Sequence, residues 1–219
     1  MSVHLQKAIE KLKKDLLSLC AMVEEQVQRS LRALLERDED LARQVEQRDV
    51  EIDQREVEVE EECLKTLALH QPVAGDLRFI VASLKINNDL ERIGDLAVNV
   101  ARKAVSFASQ LPMEIPFNLA GMGEKTQEML RDSLDALVNL DPKLANNVCA
   151  RDDEVDRMKR AIRVRAEEMM RAEPDHVSPL LTLLAVSRNL ERIADHATNI
   201  AEDVIYMVEG KIIRHGEGD

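Results

Sequence analysis

Leu90-Glu91-Arg92-Ile93-Gly94-Asp95-Leu96-Ala97-Val98-Asn99-Val100-Ala101 returns one hundred residues later as Leu190-Glu191-Arg192-Ile193-Ala194-Asp195-His196-Ala197-Thr198-Asn199-Ile200-Ala201. Eight of the twelve positions are identical, and Gly94/Ala194 and Val100/Ile200 are close exchanges. A repeat of this kind decides architecture before any local pattern does. In the first copy Leu90, Ile93, Ala97, Val100, Ala104 and Phe107 step by three and four; Leu190, Ile193, Ala197, Ile200, Val204 and Met207 do the same in the second. That spacing is the apolar stripe of a packed α-helix. A polar row runs beside each stripe at four-residue steps: Asn87, Glu91, Asp95, Asn99, and Ser187, Glu191, Asp195, Asn199, Asp203. At about 100° per residue, Glu91 and Asp95 point away from the stripe, so the row is expected to face out of a bundle.

The rest of the composition agrees with helices. The 219 residues include one Tyr, three Phe and no Trp, with only seven Gly and six Pro. Sheets favour aromatic and β-branched residues, and this chain has few aromatics. A net charge of −12 argues against nucleic acid, which needs a basic patch. Local basic clusters at Lys11, Lys13 and Lys14, and at Arg157, Lys159, Arg160, Arg163 and Arg165, are interleaved with acids or apolar positions and read as solvated helix faces. Cys20, Cys63 and Cys149 form no C-x-x-C and read as buried free thiols in a reducing compartment. No signal peptide is visible at the N-terminus. The longest apolar run, Leu180 to Val186, falls far short of the ~20 residues that span a bilayer. The expectation is a soluble, cytoplasmic protein without a transmembrane segment.

Start and stop signals then divide the chain. A first helix is predicted over about 3–37, and a second from Asp38 or Asp40 to His70, where Gln71-Pro72 stops it. A third begins near Ala74 or Asp76. Leu111-Pro112-Met113-Glu114-Ile115-Pro116-Phe117 reads as a linker. A fourth helix runs to about Asn139. Asp141-Pro142 starts a fifth, which extends to about Arg171, and Ser178-Pro179 starts a sixth ending near Gly210. The fold class is therefore all-α: two tandem three-helix bundles related by an internal repeat. Residues 1–111 form the first bundle, 112–116 the linker, 117–213 the second bundle and 214–219 a tail. A pseudo-twofold and a pseudo-translation remain equally open.

The repeat also reaches the second and fifth helices, where Arg48-Asp49-Val50-Glu51-Ile52-Asp53 matches Arg151-Asp152-Asp153-Glu154-Val155-Asp156 at an offset of 103. Each half thus carries two acidic pairs at i, i+4: Asp49/Asp53 with Glu91/Asp95, and Asp152/Asp156 with Glu191/Asp195. Single pairs carry no information, because 42 acids give about eight by chance. Recurrence at matching places does, since like charges at this spacing cost a few tenths of a kcal/mol each. Two kinds of cation offset that cost. One is internal: Arg92, Arg192, Arg48 or Arg151, in salt bridges between helices. The other is a metal. Four carboxylates per bundle resemble the donor supply of helical di-metal sites, and oxygen ligation suits Mg²⁺, Mn²⁺, Ca²⁺ or iron. The E-x-x-H pairing of buried di-iron sites is absent, and His196, beside Asp195, is a candidate accessory ligand. A metal-free scaffold and a carboxylate-bridged metalloenzyme remain as alternatives.

The chain is similar to the PhoU family along essentially its whole length. The resemblance rests on Gln71-Pro72-Val73-Ala74-Gly75-Asp76-Leu77-Arg78, on Leu90-Glu91-Arg92-Ile93-Gly94-Asp95, on Leu190-Glu191-Arg192-Ile193-Ala194-Asp195-His196, and on Glu209-Gly210-Lys211 through Arg214-His215. It implies a non-enzymatic cytoplasmic regulator, a homodimer, which represses the phosphate-starvation response when phosphate is plentiful. It implies contact with the ATPase subunit of the phosphate-specific ABC transporter and with a sensor histidine kinase. It further implies iron or zinc, with manganese or magnesium as alternatives, held on the bundle surface. Carried over residue by residue, the ligands are Asp49, Asp53, Glu91 and Asp95, and Asp152, Asp156, Glu191 and Asp195, with Asn99 and Asn199 one turn further along.

Overall fold

The computed structural model describes residues 3–110 and 113–211. Seven α-helices occur among them: α1 (Val3–Glu36), α2 (Glu39–His70), α3 (Ala74–Ala108), α4 (Leu119–Asn139), α5 (Pro142–Cys149), α6 (Asp152–Ala172) and α7 (Val177–Glu209). A 3-10 turn at Pro174–His176 leads into the last, and the described residues contain no strand. Linker positions 111 and 112 and the tail at 214–219, with Arg214 and His215, lie outside the described residues.

Capping explains most of the boundaries. Asp38 accepts from the Leu41 amide at 2.9 Å and starts α2; Asn118 accepts from Gly121 at 3.0 Å and starts α4. Asp141 accepts from Lys143 and Leu144 at the start of α5, where Pro142 takes the first helical position. Gly210, with φ of 72°, supplies the left-handed residue that ends α7. At the α1–α2 corner the Arg37 guanidinium stacks on the Phe107 ring at 4.1 Å and donates to the carbonyls of Phe107 and Met113. That one side chain ties the corner to the end of α3 and to the linker.

One helix departs from its predicted course. The single helix expected from Asp141 to Arg171 is two, broken at Ala150 and Arg151. The Arg151 side chain reaches Asp132 on α4 and donates to the Asn147 carbonyl. The break places Asp152, Asp153 and Glu154 in the first turn of α6, where the positive end of the helix dipole favours acids. The equivalent stretch around Arg48 passes through the middle of continuous α2.

α1, α2 and α3 form one three-helix bundle; α4, α5 with α6, and α7 form the other. The most extensive contact in the molecule is nonetheless between the bundles, where α3 lies along α7. Lys85 meets Asp203, Asp89 meets His196 and Asn199, and Gln110 meets Ser178 and Thr182. These pairs climb α3 as they descend α7, so the helices are antiparallel and the repeats are related by a pseudo-twofold. The stripe residues Leu90, Ile93, Ala97, Val100, Leu190, Ile193, Ala197 and Ile200 are completely buried. They belong to a single apolar core that continues through both halves. α4 also approaches α1 closely: a Cβ added at Gly123 would meet Leu31 Cδ2 at 3.1 Å.

Burying an unpaired charge in this stripe costs several kcal/mol, so Ile93→Asp and Ile193→Asp are each expected to be severely destabilising. Because the core is continuous, either variant should remove both halves in one thermal transition. A surviving transition from the untouched half, seen by circular dichroism or calorimetry, overturns the shared core.

Candidate functional site

The polar rows do not simply face outward. A four-residue step advances about 400°, so each row drifts by about 40° per step around its helix. Asn87 and Ser187, at the start of the rows, are buried, and Asn87 donates to the Glu56 carbonyl and carboxylate on α2. Glu91 and Asp95 follow with side chains 25% and 48% exposed. Asp203, at the far end of the second row, is buried again, on the other side of α7 against Lys85 at 2.9 Å. Of the eight acids, Asp53 and Asp195 are exposed and the other six half-buried, so they line the rims of grooves between helices.

The eight predicted carboxylates gather into two clusters. In the first, Asp49 Oδ1 accepts from Gln26 Nε2 of α1 at 2.9 Å. Partial burial and then its neighbours Asp53 and Asp95 push the Asp49 carboxyl up to about 6. Burial and then Asp95 raise Glu91, against the opposing influence of Arg92. Glu91 Oε2 is buried and accepts no hydrogen bond, although Arg92 Nε lies 3.3 Å away. Opposite Asp49 the α3 backbone carries Gly94, where a Cβ would stand 3.4 Å from Ile52 Cγ2 and 3.7 Å from Asp49 Oδ1. The groove beside this cluster, about 660 Å³, is lined by Asp53, Glu56, Glu60, Glu91, Arg92 and Asp95 among others.

In the second cluster, burial and then Glu191, Asp152 and Asp156 push Asp195 up to about 6. Burial also raises Asp152, although Thr198 Oγ1 donates to its carboxylate at 3.2 Å. Lys159 of α6 contacts Glu191 Oε1 directly and lies 4.0 Å from Asp156. Here the two clusters part. At the offset of 103, Lys159 occupies the place of Glu56, whose carboxyl is raised by burial, Glu60, Glu91 and Asp53. The first half thus adds a fifth acid where the second supplies a cation. Glu56 and Lys159 were legible as the residues three beyond Asp53 and Asp156, but only a facing helix gives them a role.

Other expectations need correcting. Asn99 and Asn199 do not extend the clusters. Asn199 donates to Asp89 at 3.2 Å across the α3–α7 contact, and Asn99 lines a different groove. His196 Nδ1 sits 2.7 Å from the same Asp89 oxygen, so it is engaged across the contact while its charge is felt at both Glu91 and Asp195. It stands between the clusters. Of the internal arginines, Arg92 reaches Glu91 and Asp95 along its own helix and not between helices. Arg48 pairs with Glu25 at 2.7 Å and Arg151 with Asp132, while Arg192 has no ion-pair partner among the described residues. Cys20 and Cys63 are buried and Cys149 is half-buried, and all three are free thiols raised by burial to about 12, 12 and 11.

The donors are all oxygen, which suits a hard cation. The raised carboxyls and the orphaned Glu91 Oε2 mark the first cluster as the one whose residues fit such an ion. As the side chains stand, no three His, Cys, Asp or Glu among the described residues converge closely enough to hold one. In the second cluster Lys159 already supplies a positive charge.

The raised groups have a consequence for pH. Asp49 and Asp195 ionise near 6 when folded against 3.8 in the open chain, so folding takes up protons between those values. Ionising them in partly buried surroundings beside like charges therefore lowers stability as pH rises toward about 6, and the metal-free chain is expected to melt higher at pH 5 than at pH 7. Asp49→Asn should flatten that difference. A melting temperature that rises from pH 5 to pH 7 in chelator, equally in wild type and variant, contradicts the assignment.

Three comparisons place this arrangement among known proteins. The PhoU domain family matches twice, over residues 16–104 and 119–204, one match in each half. A relative from Pseudomonas putida, named "Phosphate-specific transport system accessory protein PhoU homolog", is 39% identical over 217 residues, which cover 98% of this chain and 84% of the relative. The crystal structure of PhoU from Pseudomonas aeruginosa is 38% identical and superposes with a TM-score of 0.90, over 94% of this chain and 99% of that one. The phosphate transport system regulatory protein PhoU from Streptococcus pneumoniae, 27% identical, superposes at 0.85 over 96% and 100%. With two domain matches, full-length relatives and the same double bundle, this chain belongs to the PhoU family.

Proposed function

We propose that this protein is a non-enzymatic cytoplasmic regulator of phosphate uptake that represses the phosphate-starvation response when phosphate is plentiful. It acts as a homodimer by contact with the ATPase subunit of the phosphate ABC transporter and with its sensor histidine kinase. The observation that carries this reading is the end-to-end match to proteins named as accessory and regulatory components of phosphate transport. Two structural facts are compatible with it: no described helix is long and apolar enough to cross a membrane, and the acidic groove beside the first cluster is open to solvent. Affinity capture from cells grown at high and low phosphate tests it. The transporter ATPase and the kinase should be recovered, with phosphate-dependent yield; recovery of neither at any phosphate level rejects the reading.

The acidic clusters supply the second part of the proposal. Asp49, Asp53, Glu91 and Asp95, with Glu56 beside them, hold iron or zinc, with manganese or magnesium as alternatives. The ion neutralises carboxylates that otherwise repel. Asp152, Asp156, Glu191 and Asp195 form the equivalent set, but there Lys159 must leave Glu191 before an ion can take its place. Internal ion pairing is the competing reading for that half, and the Lys159–Glu191 contact favours it.

An ion bound only to the folded chain at a hundredfold excess over Kd adds about 2.7 kcal/mol, or roughly 5–10 °C for a chain of this size. Melting curves in chelator and with iron, zinc, manganese and magnesium in turn should show that gain. Glu91→Gln with Asp95→Asn should abolish it at the first cluster, and Lys159→Gln should strengthen it at the second. No metal-dependent shift in wild type removes the metal from the proposal and leaves the regulator standing on its contacts.

A further inference from the structure

The pseudo-twofold gives the acidic groove a counterpart, and its charge is reversed. The counterpart, about 790 Å³, lies between α6, α7 and the C-terminal part of α3. Lys159, Arg163, Arg188, Arg192 and Lys103 line it, with Leu181, Leu184 and Ala185 as its apolar wall. The offsets of 103 and 100 pair Glu56 with Lys159, Glu60 with Arg163 and Asn88 with Arg188, while Leu84/Leu184 and Arg92/Arg192 are retained. The same place in the repeat has thus become acidic in one half and basic in the other.

Solvation alone does not account for the basic groove. The chain has 42 acids against 30 Lys and Arg, yet five cations meet here and the single lining acid is Glu167. Glu167 is taken by Arg163 at 2.8 Å, and Lys159 is taken by Glu191. Lys103, Arg188 and Arg192 come from two helices and have no hydrogen-bond or ion-pair partner among the described residues. Three uncompensated positive charges in one concave site match a multiply charged anion. Guanidinium forks match phosphate oxygens in pairs. The volume lies within the range of small-molecule sites, and the wall of Leu181, Leu184 and Ala185 provides the apolar surface such sites use.

We propose that this groove binds a small molecule carrying linked phosphate groups, with the phosphates on Lys103, Arg188 and Arg192. Lys159 and Arg163 border the same site and add to its field. The phosphate contacts do not rest on the metal reading, because Lys103, Arg188 and Arg192 are not predicted metal ligands; only Lys159, through Glu191, touches both sites.

Titration calorimetry of the chelator-treated, full-length chain tests it, using inorganic triphosphate, ATP, orthophosphate and a poly-glutamate peptide at low ionic strength. Triphosphate and ATP should bind and orthophosphate should bind more weakly. Equal binding of the first two places recognition in the phosphate chain, and tighter ATP binding adds the apolar wall. Arg188→Gln, Arg192→Gln and Lys103→Gln should each weaken triphosphate about three- to tenfold. These side chains are exposed, so their melting temperatures should stay near wild type. Glu60→Gln, in the acidic counterpart, should leave the affinity unchanged. The proposal is overturned by absence of binding to any phosphate probe, by equal losses in Glu60→Gln and the groove variants, or by poly-glutamate binding as tightly as triphosphate.

Discussion

The lengthwise packing of α3 on α7 is the contact on which everything else in this protein depends. Each of these helices is the innermost of its own bundle, and each also serves as the neighbouring bundle's wall. Their small and branched residues, Ala97, Ala101 and Val100 on one and Ala197, Ala201 and Ile200 on the other, are completely buried. A helix enclosed on several sides has little surface left for polar groups. The acids of the repeated stretch are therefore confined to the narrow flank each helix shares with α2 or α6, and two grooves open there.

That confinement explains the electrostatics. Carboxylates on a free helix face would be solvated and would repel weakly. Held between two helices, Asp49 and Asp195 lose part of their hydration and gain like-charged neighbours at once, so they protonate far more readily than usual. The two halves answer the same problem differently. One leaves Glu91 with an unsatisfied oxygen, and the other places Lys159 on the matching Glu191. The repeat provides the scaffold twice, and the halves differ at Glu56/Lys159, Glu60/Arg163 and Asn88/Arg188, which leaves one groove acidic and the other basic.

Most of the fold was legible because its signals are local. The three-four spacing of Leu90 to Phe107, the Asp141-Pro142 start and the Gln71-Pro72 stop each act within a turn or two of chain. The break at Ala150 and Arg151 was not legible, since no Gly or Pro marks it and the Asp132 partner of Arg151 lies on another helix. The acidic pairs were readable from the repeat, and the structure gathers them as the repeat requires. Their partial burial was hidden, because the 40° drift of a four-residue row matters only once the packing neighbours are known. The basic groove was hidden for a related reason. Lys159 and Arg163 look like part of a solvated face until Arg188, Arg192 and Lys103 arrive from other helices.

The ion pairs across the α3–α7 contact also make the halves non-interchangeable. Lys85 faces Asp203, and the repeat equivalent of Asp203 is Lys103. Two first halves joined through α3 would set Lys85 against Lys103, and Asp89 would meet Leu96 where it now meets His196. Pairing of two first halves is thus penalised by like charges at the first position and by the loss of a polar partner for Asp89 at the second. Nothing in those pairs distinguishes a chain's own second half from a neighbour's, however. Exchange of whole halves between two copies would preserve every one of them.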